Sequence, residues 1–453
     1  MSIENHNDPT GKPVDALYGE QTRLACENFS ISGQPLPSEF IHVLGLIKAA
    51  AAEVNADLGM LPQDTAAAIS HAGLEVAAGR HDAQFPVDLF QTGSGTSTNM
   101  NANEVIATLA SRRLGRKVHP NDDVNCSQSS NDVIPTAIHV SAALQLQPLQ
   151  KALQALMGTL LIRAEQYQEV VKVARTHLMD AVPITLGQEL TGWAAQLESD
   201  LARLADVRQR LLLIAQGGTA VGTGLNAPPD FGIRFANTLG QLTGLDLRTA
   251  PNLFAAIGAQ DTALELSAQL KVVATSLLKI ATDLRWMNSG PVAGLAEIRL
   301  PELQHGSSIM PGKVNPVIPE AVGMACVQVI GLEAAVTLAS QDNRFQLATM
   351  LPLIANNLIQ QLKLLTSAVR SLDEKAVQLF EVDQDRLESF AQRNTMLVTA
   401  LNSLIGYDHA AEIAKAALRE GRPLIDVACE QSDLDRTELE SALDPVRLAK
   451  PHG

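Results

Sequence analysis

The sequence predicts an all-helical protein of three regions built around a central bundle of long helices. Its 453 residues suffice for two or three domains with a sizeable core. Apolar residues make up 46% of the chain but aromatic residues only 3%, so Leu, Ala, Val and Ile must build that core. This palette suits packed helices better than sheets. The strongest periodicity lies at 256–289, where Leu270, Val273, Leu277, Ile280, Leu284 and Met287 are spaced 3, 4, 3, 4, 3. That is an a/d seam, the mark of a long helix packed nearly parallel to its neighbours.

Taken in order, residues 1–130 are rich in turns and shorter helical patterns and read as an N-terminal helical domain. The central domain, 131–372, holds five long patterns, at 132–167, 187–215, 256–289, 318–340 and 351–372. In the second of these the apolar positions are Leu190, Trp193, Leu197, Leu201, Leu204, Val207, Leu211 and Ile214. Pro148 and Pro352 are expected to kink or delimit two of the five. From 373 to 453 the patterns shorten again into a small C-terminal helical domain. A helix of about 32 residues would be roughly 48 Å long, more than a compact domain of this size spans. The central region is therefore expected to be a rod that closes its apolar seams against copies of the same chain.

The formal net charge of −15 argues against nonspecific nucleic-acid binding, because phosphate is repelled overall. An anionic ligand would need positive charge supplied locally. Cys26, Cys126, Cys326 and Cys429 are far apart and form no CxxC pair, which argues against a zinc site or a disulfide framework. The opening MSIENHNDPTGKP lacks an apolar signal core, and no unbroken apolar stretch reaches membrane-spanning length. The expectation is a soluble protein of a reducing compartment, most simply the cytosol.

Four polar or glycine-rich segments, 91–104, 119–132, 174–183 and 306–316, interrupt the helical patterns, the second of them carrying both HPNDD and SSND. TGSGT, 92–96, offers small hydroxyls and backbone N–H groups that suit an anionic oxygen, although taken alone it reads more simply as a turn with a helix cap. It matches neither a dinucleotide fingerprint nor a phosphate loop. HPNDD, 119–123, is either a turn or, with Arg116 and Lys117 just before it, a local positive patch. SSND, 129–132, reads as a helix start, and a helix N-terminus also binds anions; capping alone accounts for one of these four residues. ARTHLMDAVP, 174–183, carries Thr176 and His177 ahead of a proline and a long helix, with Glu320 the natural carboxylate to orient the histidine.

The fourth segment is GSSIMPGKVNP, 306–316. Gly306 and Gly312 let its backbone swing, and Lys313 and Asn315, two apart, point the same way in an extended loop. Ser307 and Ser308 add hydroxyls. One role fits: closing over a carboxylate and stabilising the negative charge that develops there. A plain surface loop leaves Ile309 and Met310 unexplained, because a loop that stays in water gains nothing from them.

GSSIMPGKVNP resembles the signature loop of the fumarase/aspartase superfamily of lyases. Over nearly its whole length the chain resembles class II fumarases, through TGSGTSTNMNANEV, KVHPNDDVNCSQSSNDVIPTAIHV, ARTHLMDAVPITLGQELTGW, GGTAVGTGLN at 217–226 and LVTALNSLIGYDHAAEIAKAA at 397–417. The resemblance implies a three-domain, all-helical protomer in a homotetramer whose central helices form one shared 20-helix core. Each active site would be shared between three subunits. The implied reaction is the reversible hydration of fumarate to (S)-malate through an aci-carboxylate intermediate, with no metal and no organic cofactor. By resemblance Ser307 matches the catalytic base, His177 the catalytic histidine and Glu320 its carboxylate partner. Ser94, Gly95, Thr96, Ser129, Ser130, Asn131, Thr176, Ser308, Lys313 and Asn315 match the residues that hold the dicarboxylate. His119, Pro120, Asn121 and Asp122 match a second, non-catalytic dicarboxylate site. Two alternatives stand beside this one: an aspartate ammonia-lyase or other fumarate-releasing lyase with the same loop, and a non-catalytic structural relative that keeps the fold.

Overall fold

A computed structural model of the chain describes residues 15–306 and 308–450. The described residues open with four α-helices, α1 (Glu20–Asn28), α2 (Ser38–Asp57), α3 (Gln63–Ala77) and α4 (Thr96–Leu114). The longest helix, α5 (Ser130–Gln166), follows and leads into an antiparallel hairpin of β1 (Val171–Thr176) and β2 (Met179–Thr185). Then come α6 (Leu186–Leu211), α7 (Phe231–Thr243), α8 (Leu253–Gly258) and α9 (Asp261–Met287). The helices α10 (Val317–Ser340) and α11 (Leu351–Leu372) complete the long set. Shorter helices follow, among them Gln384–Arg393, Tyr407–Glu420, Leu424–Gln431 and Arg436–Ala442.

The five long patterns are therefore five long helices, α5, α6, α9, α10 and α11, with ends close to those expected. The α9 seam is buried from Leu270 through Met287. In α6 the expected apolar positions are buried too, apart from Leu201, which is half-buried. Pro148 does not delimit a helix: both it and Pro135 lie inside α5. Pro352 sits in the first turn of α11, where a missing N–H has no helical acceptor to lose.

One helix departs from the composition reading. By length and apolar content α10 reaches what a membrane crossing needs, with a mean hydropathy of 1.8 over its richest window. Reading residue by residue passed over it because Glu320 and Glu333 interrupt the run. The hairpin was not expected either. The turn joining its strands lacks the Asn-Gly or Gly-rich signature that announces a hairpin.

The described residues form two compact units. One comprises the chain up to Lys151 with Asp200–Ala274 and Ala325–Thr366; the other comprises Ala152–Ser199, Thr275–Met324 and the chain from Ser367 onward. In the first unit α2 packs against α3 and α7, and α3 against α4. Polar clasps tie its long helices together. The Ser267 hydroxyl on α9 donates to Gln361 Oε1 on α11 at 2.8 Å, and Gln361 Nε2 donates to the Val329 carbonyl on α10 at 3.1 Å. Lys271 on α9 pairs with Glu333 on α10 at 2.7 Å. In the second unit the 384–393 helix packs on β1, and the C-terminal helices enclose a small core of their own around Leu401, Ile413, Val427 and Leu439.

Candidate active site

In the first unit two helix starts meet. Gly95 precedes α4 with φ of +71°, a left-handed backbone that favours glycine. The turn brings the Ser94 hydroxyl within 2.8 Å of the Thr96 hydroxyl, which lies 2.7 Å from the Ser130 hydroxyl. Thr96 is the first residue of α4 and Ser130 the first of α5. Each start presents the positive end of a helix dipole, and here two such ends adjoin. Ser129 joins it: its hydroxyl accepts from the Asn131 N–H at 3.2 Å. The Asn131 side chain donates through Nδ2 to the Ala220 carbonyl at 2.8 Å.

Beneath this rim lie two buried charges that the motif reading missed. Asp132 Oδ1 accepts from the Ser129 N–H at 2.9 Å, while Oδ2 accepts from Thr219 at 2.9 Å and Gly217 at 3.1 Å. Lys48, fully buried on α2, donates to Asn125 Oδ1 at 2.9 Å and Gln128 Oε1 at 3.0 Å. Burial pushes the Asp132 carboxyl up to about 7, against the opposing pull of those three N–H groups and of Lys48. Burial brings the Lys48 ammonium down to about 7, with Asp132 pulling the other way. A signal for Lys48 was present in the sequence: it is a single cation in the apolar run LGLIKAAAA.

Also in the first unit, His119 to Asp122 form one tight turn, with Pro120–Val124 in a single π-helical coil. His119 Nδ1 accepts from the Asp122 N–H at 3.0 Å, and the His119 N–H donates to Asp123 Oδ2 at 2.7 Å. The positive patch read there is smaller than the sequence suggests, because Arg116 is paired with Asp64 at 2.7 Å. Pro120 is half-buried and Asn121 exposed.

In the second unit the hairpin presents Thr176 and His177. Thr176 pairs with Met179 across the tip, so His177 and Leu178 form a two-residue turn. Both have left-handed backbones, φ +56° and +61°, and neither is glycine. Such a turn matches the twist of a hairpin, but non-glycine residues occupy it only under constraint. The base of the hairpin supplies that constraint. Glu297, with no exposed surface, pairs with Arg175 at 2.7 Å and with Lys172 at 3.0 Å, and Lys172 pairs also with Glu189 at 2.5 Å. His177 is exposed, as is Glu320 in the first turn of α10. Among the described residues no hydrogen bond joins the two.

The signature loop lies in the same unit. Ser307 lies outside the described residues. A Cβ at Gly306 would come 1.7 Å from the Lys313 carbonyl oxygen, so only glycine lets the two arms of the loop meet. Asn315 Nδ2 donates to the Gly306 carbonyl and ties the same two arms. This corrects the role read for Gly306: it is a point of contact, whereas Gly312, at φ +80°, takes the left-handed turn. Ser308, Ile309, Met310 and Lys313 are exposed. Lys313 and Asn315 border a cleft of about 420 Å³ whose far side is Arg285 and Trp286 at the end of α9. Arg285 is a cation the sequence reading did not single out; nothing in the pattern of α9 distinguishes it from an ordinary basic C-terminal turn.

Comparison with known proteins adds an independent line. Residues 9–331 match a family described as lyase, and residues 397–450 match one described as fumarase C C-terminus. The chain is 55% identical over 439 residues to the class II fumarate hydratase of Xylella fastidiosa, covering 97% of this chain and 93% of that protein. It is 49% identical over 444 residues to the class II fumarate hydratase of Mycobacterium tuberculosis, covering 97% and 94%. Among solved structures, a class II fumarase from Schistosoma mansoni superposes with a TM-score of 0.96 at 35% identity, covering 99% of each chain. A fumarate lyase:delta crystallin structure from Brucella melitensis gives 0.88 at 41% identity, covering 98% of this chain and all of that one. With relatives this similar over nearly its whole length, the chain belongs to the class II fumarate hydratase family of lyases.

Proposed function

We infer that the chain catalyses the reversible hydration of fumarate to (S)-malate. The observation that carries this reading is the 55% identity to a class II fumarate hydratase over 97% of the chain. The chemistry needs a base that takes a proton from the carbon beside one carboxylate of malate. The electrons move into that carboxylate, giving an aci-carboxylate with two negative charges. Protonated hydroxide then leaves as water from the neighbouring carbon. Ser307 is the proposed base, and His177, with Glu320 as its partner, serves the water side. Thr96, Ser129, Ser130 and Asn131 would hold one end of the dicarboxylate with Ser94 and Gly95 shaping the turn. Thr176, Ser308, Lys313 and Asn315 would hold it elsewhere. The paired helix starts supply what a −15 protein needs to bind an anion: local positive potential without a large basic surface. His119, Pro120, Asn121 and Asp122 are proposed as a second, non-catalytic dicarboxylate site.

The proposed assembly is a homotetramer with each site drawn from three chains. The three-domain division at 1–130, 131–372 and 373–453 goes with it. Exposed apolar residues on α10 favour the assembly: Met324 is 70%, Val327 61% and Leu338 65% exposed in the single chain, although α10 belongs to a bundle. The cytoplasm is the proposed compartment, in keeping with four free cysteines, Cys26, Cys126, Cys326 and Cys429.

The test is a side-by-side assay. Fumarate should lose its ultraviolet absorbance when the protein is added in phosphate-free buffer, with malate as product. Ammonia added with fumarate should give no aspartate. Formation of aspartate instead would make the chain an aspartate ammonia-lyase, and no reaction with either would leave a non-catalytic relative. Ser307→Ala should lower turnover by a factor on the order of a thousand while the oligomer persists; near-normal turnover would remove Ser307 from the mechanism.

A further inference from the structure

The glycine-rich segment that begins at Gly217 is a quoted motif that the mechanism leaves unused. It meets the α5 start at three points. The Gly217 and Thr219 N–H groups donate to Asp132, and the Ala220 carbonyl accepts from the Asn131 side chain. Thr219 makes its bond from a left-handed backbone, φ +53°, which a β-branched residue adopts only when its surroundings force it. It is also nearly buried, at 4% exposure, so the turn is part of the packed interior.

We propose that the turn Gly217–Ala220 is a positioning element for the dicarboxylate-binding start of α5, acting through Asp132 and Asn131. This rests on the reading that Ser129, Ser130 and Asn131 bind substrate.

The physical argument concerns a carboxylate in an awkward place. Asp132 lies two residues from Ser130 and carries no exposed surface. Left alone, its oxygens would compete with a bound dicarboxylate for the hydroxyl protons of Ser129, Ser130 and Thr96. Its charge would also repel the ligand. Three backbone N–H groups occupy those oxygens, two of them from the 217–219 turn. Lys48 is bonded to Asn125 and Gln128, just ahead of Ser129. The hydroxyls are then left to face the ligand, and the Ala220 carbonyl sets which way the Asn131 amide points. A substrate-binding helix start thus keeps an acidic residue in its first turn without opposing its own ligand. Asp132 and Thr219 are positioning residues: neither need touch substrate.

The test uses the full-length protein with Asp132→Asn and Thr219→Gly, reading steady-state fumarate hydration, competitive inhibition by succinate, and thermal melting. Asp132→Asn should raise the KM for fumarate and the Ki for succinate together by about tenfold or more, with kcat changed less than about threefold. In Thr219→Gly the glycine takes the same backbone without strain and keeps its N–H. It should fold, and loosening the turn should raise KM and Ki about threefold or more at nearly constant kcat. A turn that only stabilises the fold would lower melting temperature and active fraction while leaving KM and Ki at wild-type values, and that result overturns the proposal. If Asp132→Asn does not fold, Thr219→Gly decides alone; failure of Thr219→Gly to fold also overturns it, since the turn would then be a folding element. Asn131→Ala separates this proposal from the reading beneath it. Unchanged KM in Asn131→Ala sinks the assignment of the α5 start to substrate binding. Raised KM there, with wild-type values in the other two variants, sinks only the positioning role.

Discussion

The Thr96 and Ser130 hydroxyls lie 2.7 Å apart, joining the first residues of α4 and α5 although 34 positions separate them in the chain. Neither helix start alone would define a carboxylate site. Together they place two dipole ends and a chain of hydroxyls, Ser94 to Thr96 to Ser130, around one point. Thr96→Val keeps the shape and removes the link. Its KM for fumarate should rise about tenfold or more, with little change in melting temperature. Unchanged KM, measured by steady-state hydration, would show that the hydroxyl chain does not bind substrate.

His177 owes its presentation to a backbone that most side chains avoid. Asparagine tolerates the left-handed region, so His177→Asn should leave the hairpin folded and the melting temperature near that of wild type. The hydration rate should nevertheless fall by about 10² to 10⁴, the usual worth of a positioned acid or base. His177→Val, β-branched at φ +56°, should lose thermal stability as well. A fully active His177→Asn would mean the histidine shapes the turn and nothing more.

Glu297 is the anion on which the hairpin base depends, since the buried Lys172 and the half-buried Arg175 both pair with its fully buried carboxylate. Glu297→Gln leaves those cations short of one charge. Denaturant titration should show a loss of about 3–5 kcal/mol, the range found when one partner of a buried pair is removed. Activity should fall with it because Thr176 and His177 follow Arg175 directly. A loss below about 1 kcal/mol would fit an exposed pair and contradict the burial.

Gly306 tests the signature loop without touching its proposed chemistry. The methyl of Gly306→Ala would press on the Lys313 carbonyl, so the arms must part. Melting temperature should hardly change, since the loop contributes little core. Turnover should drop by at least about tenfold, because closure over the substrate is what the loop is proposed to do. Normal turnover in this variant would separate the contact of the two arms from catalysis.

Asp88 gives a prediction with a sign in pH. It accepts from the N–H groups of Ser32 and Gly33, each at 2.7 Å, and of Phe90 at 2.8 Å, and so fixes the segment entering TGSGT. Burial alone would raise this carboxyl, but those donors hold it below the ordinary carboxylate range. The folded value is the lower one, so the stabilisation is complete above the unfolded value near about 4. It disappears as pH falls through the folded value. Asp88→Asn should be less stable than wild type by about 1–3 kcal/mol at neutral pH, with the gap closing in acid. A gap that persists unchanged at low pH would remove ionisation from the account.

How much was legible beforehand follows from which interactions are local. Helix existence and length were legible because a/d spacing is local: Leu270 through Met287 announced α9, and SSND announced the start of α5. The polar motifs were legible as exceptions to that periodicity, and their resemblance to class II fumarases supplied their assignment to a common site. The hairpin was not legible, because its strands are stabilised by pairing and by a buried glutamate at position 297, far along the chain. Gly306 was read as a hinge because its close contact with the Lys313 carbonyl exists only in the folded loop. Lys48 stands out locally only as a lone cation in an apolar run, and packing alone brings it to Asn125 and Gln128. By itself, then, the sequence determined the helical elements, the family and the residue types of the candidate site. Tertiary structure alone decided which helix starts converge, which charges are buried to support them, and where the backbone is bent against its preference. Such features depend on contacts between residues tens to hundreds of positions apart, and no local spacing rule encodes those.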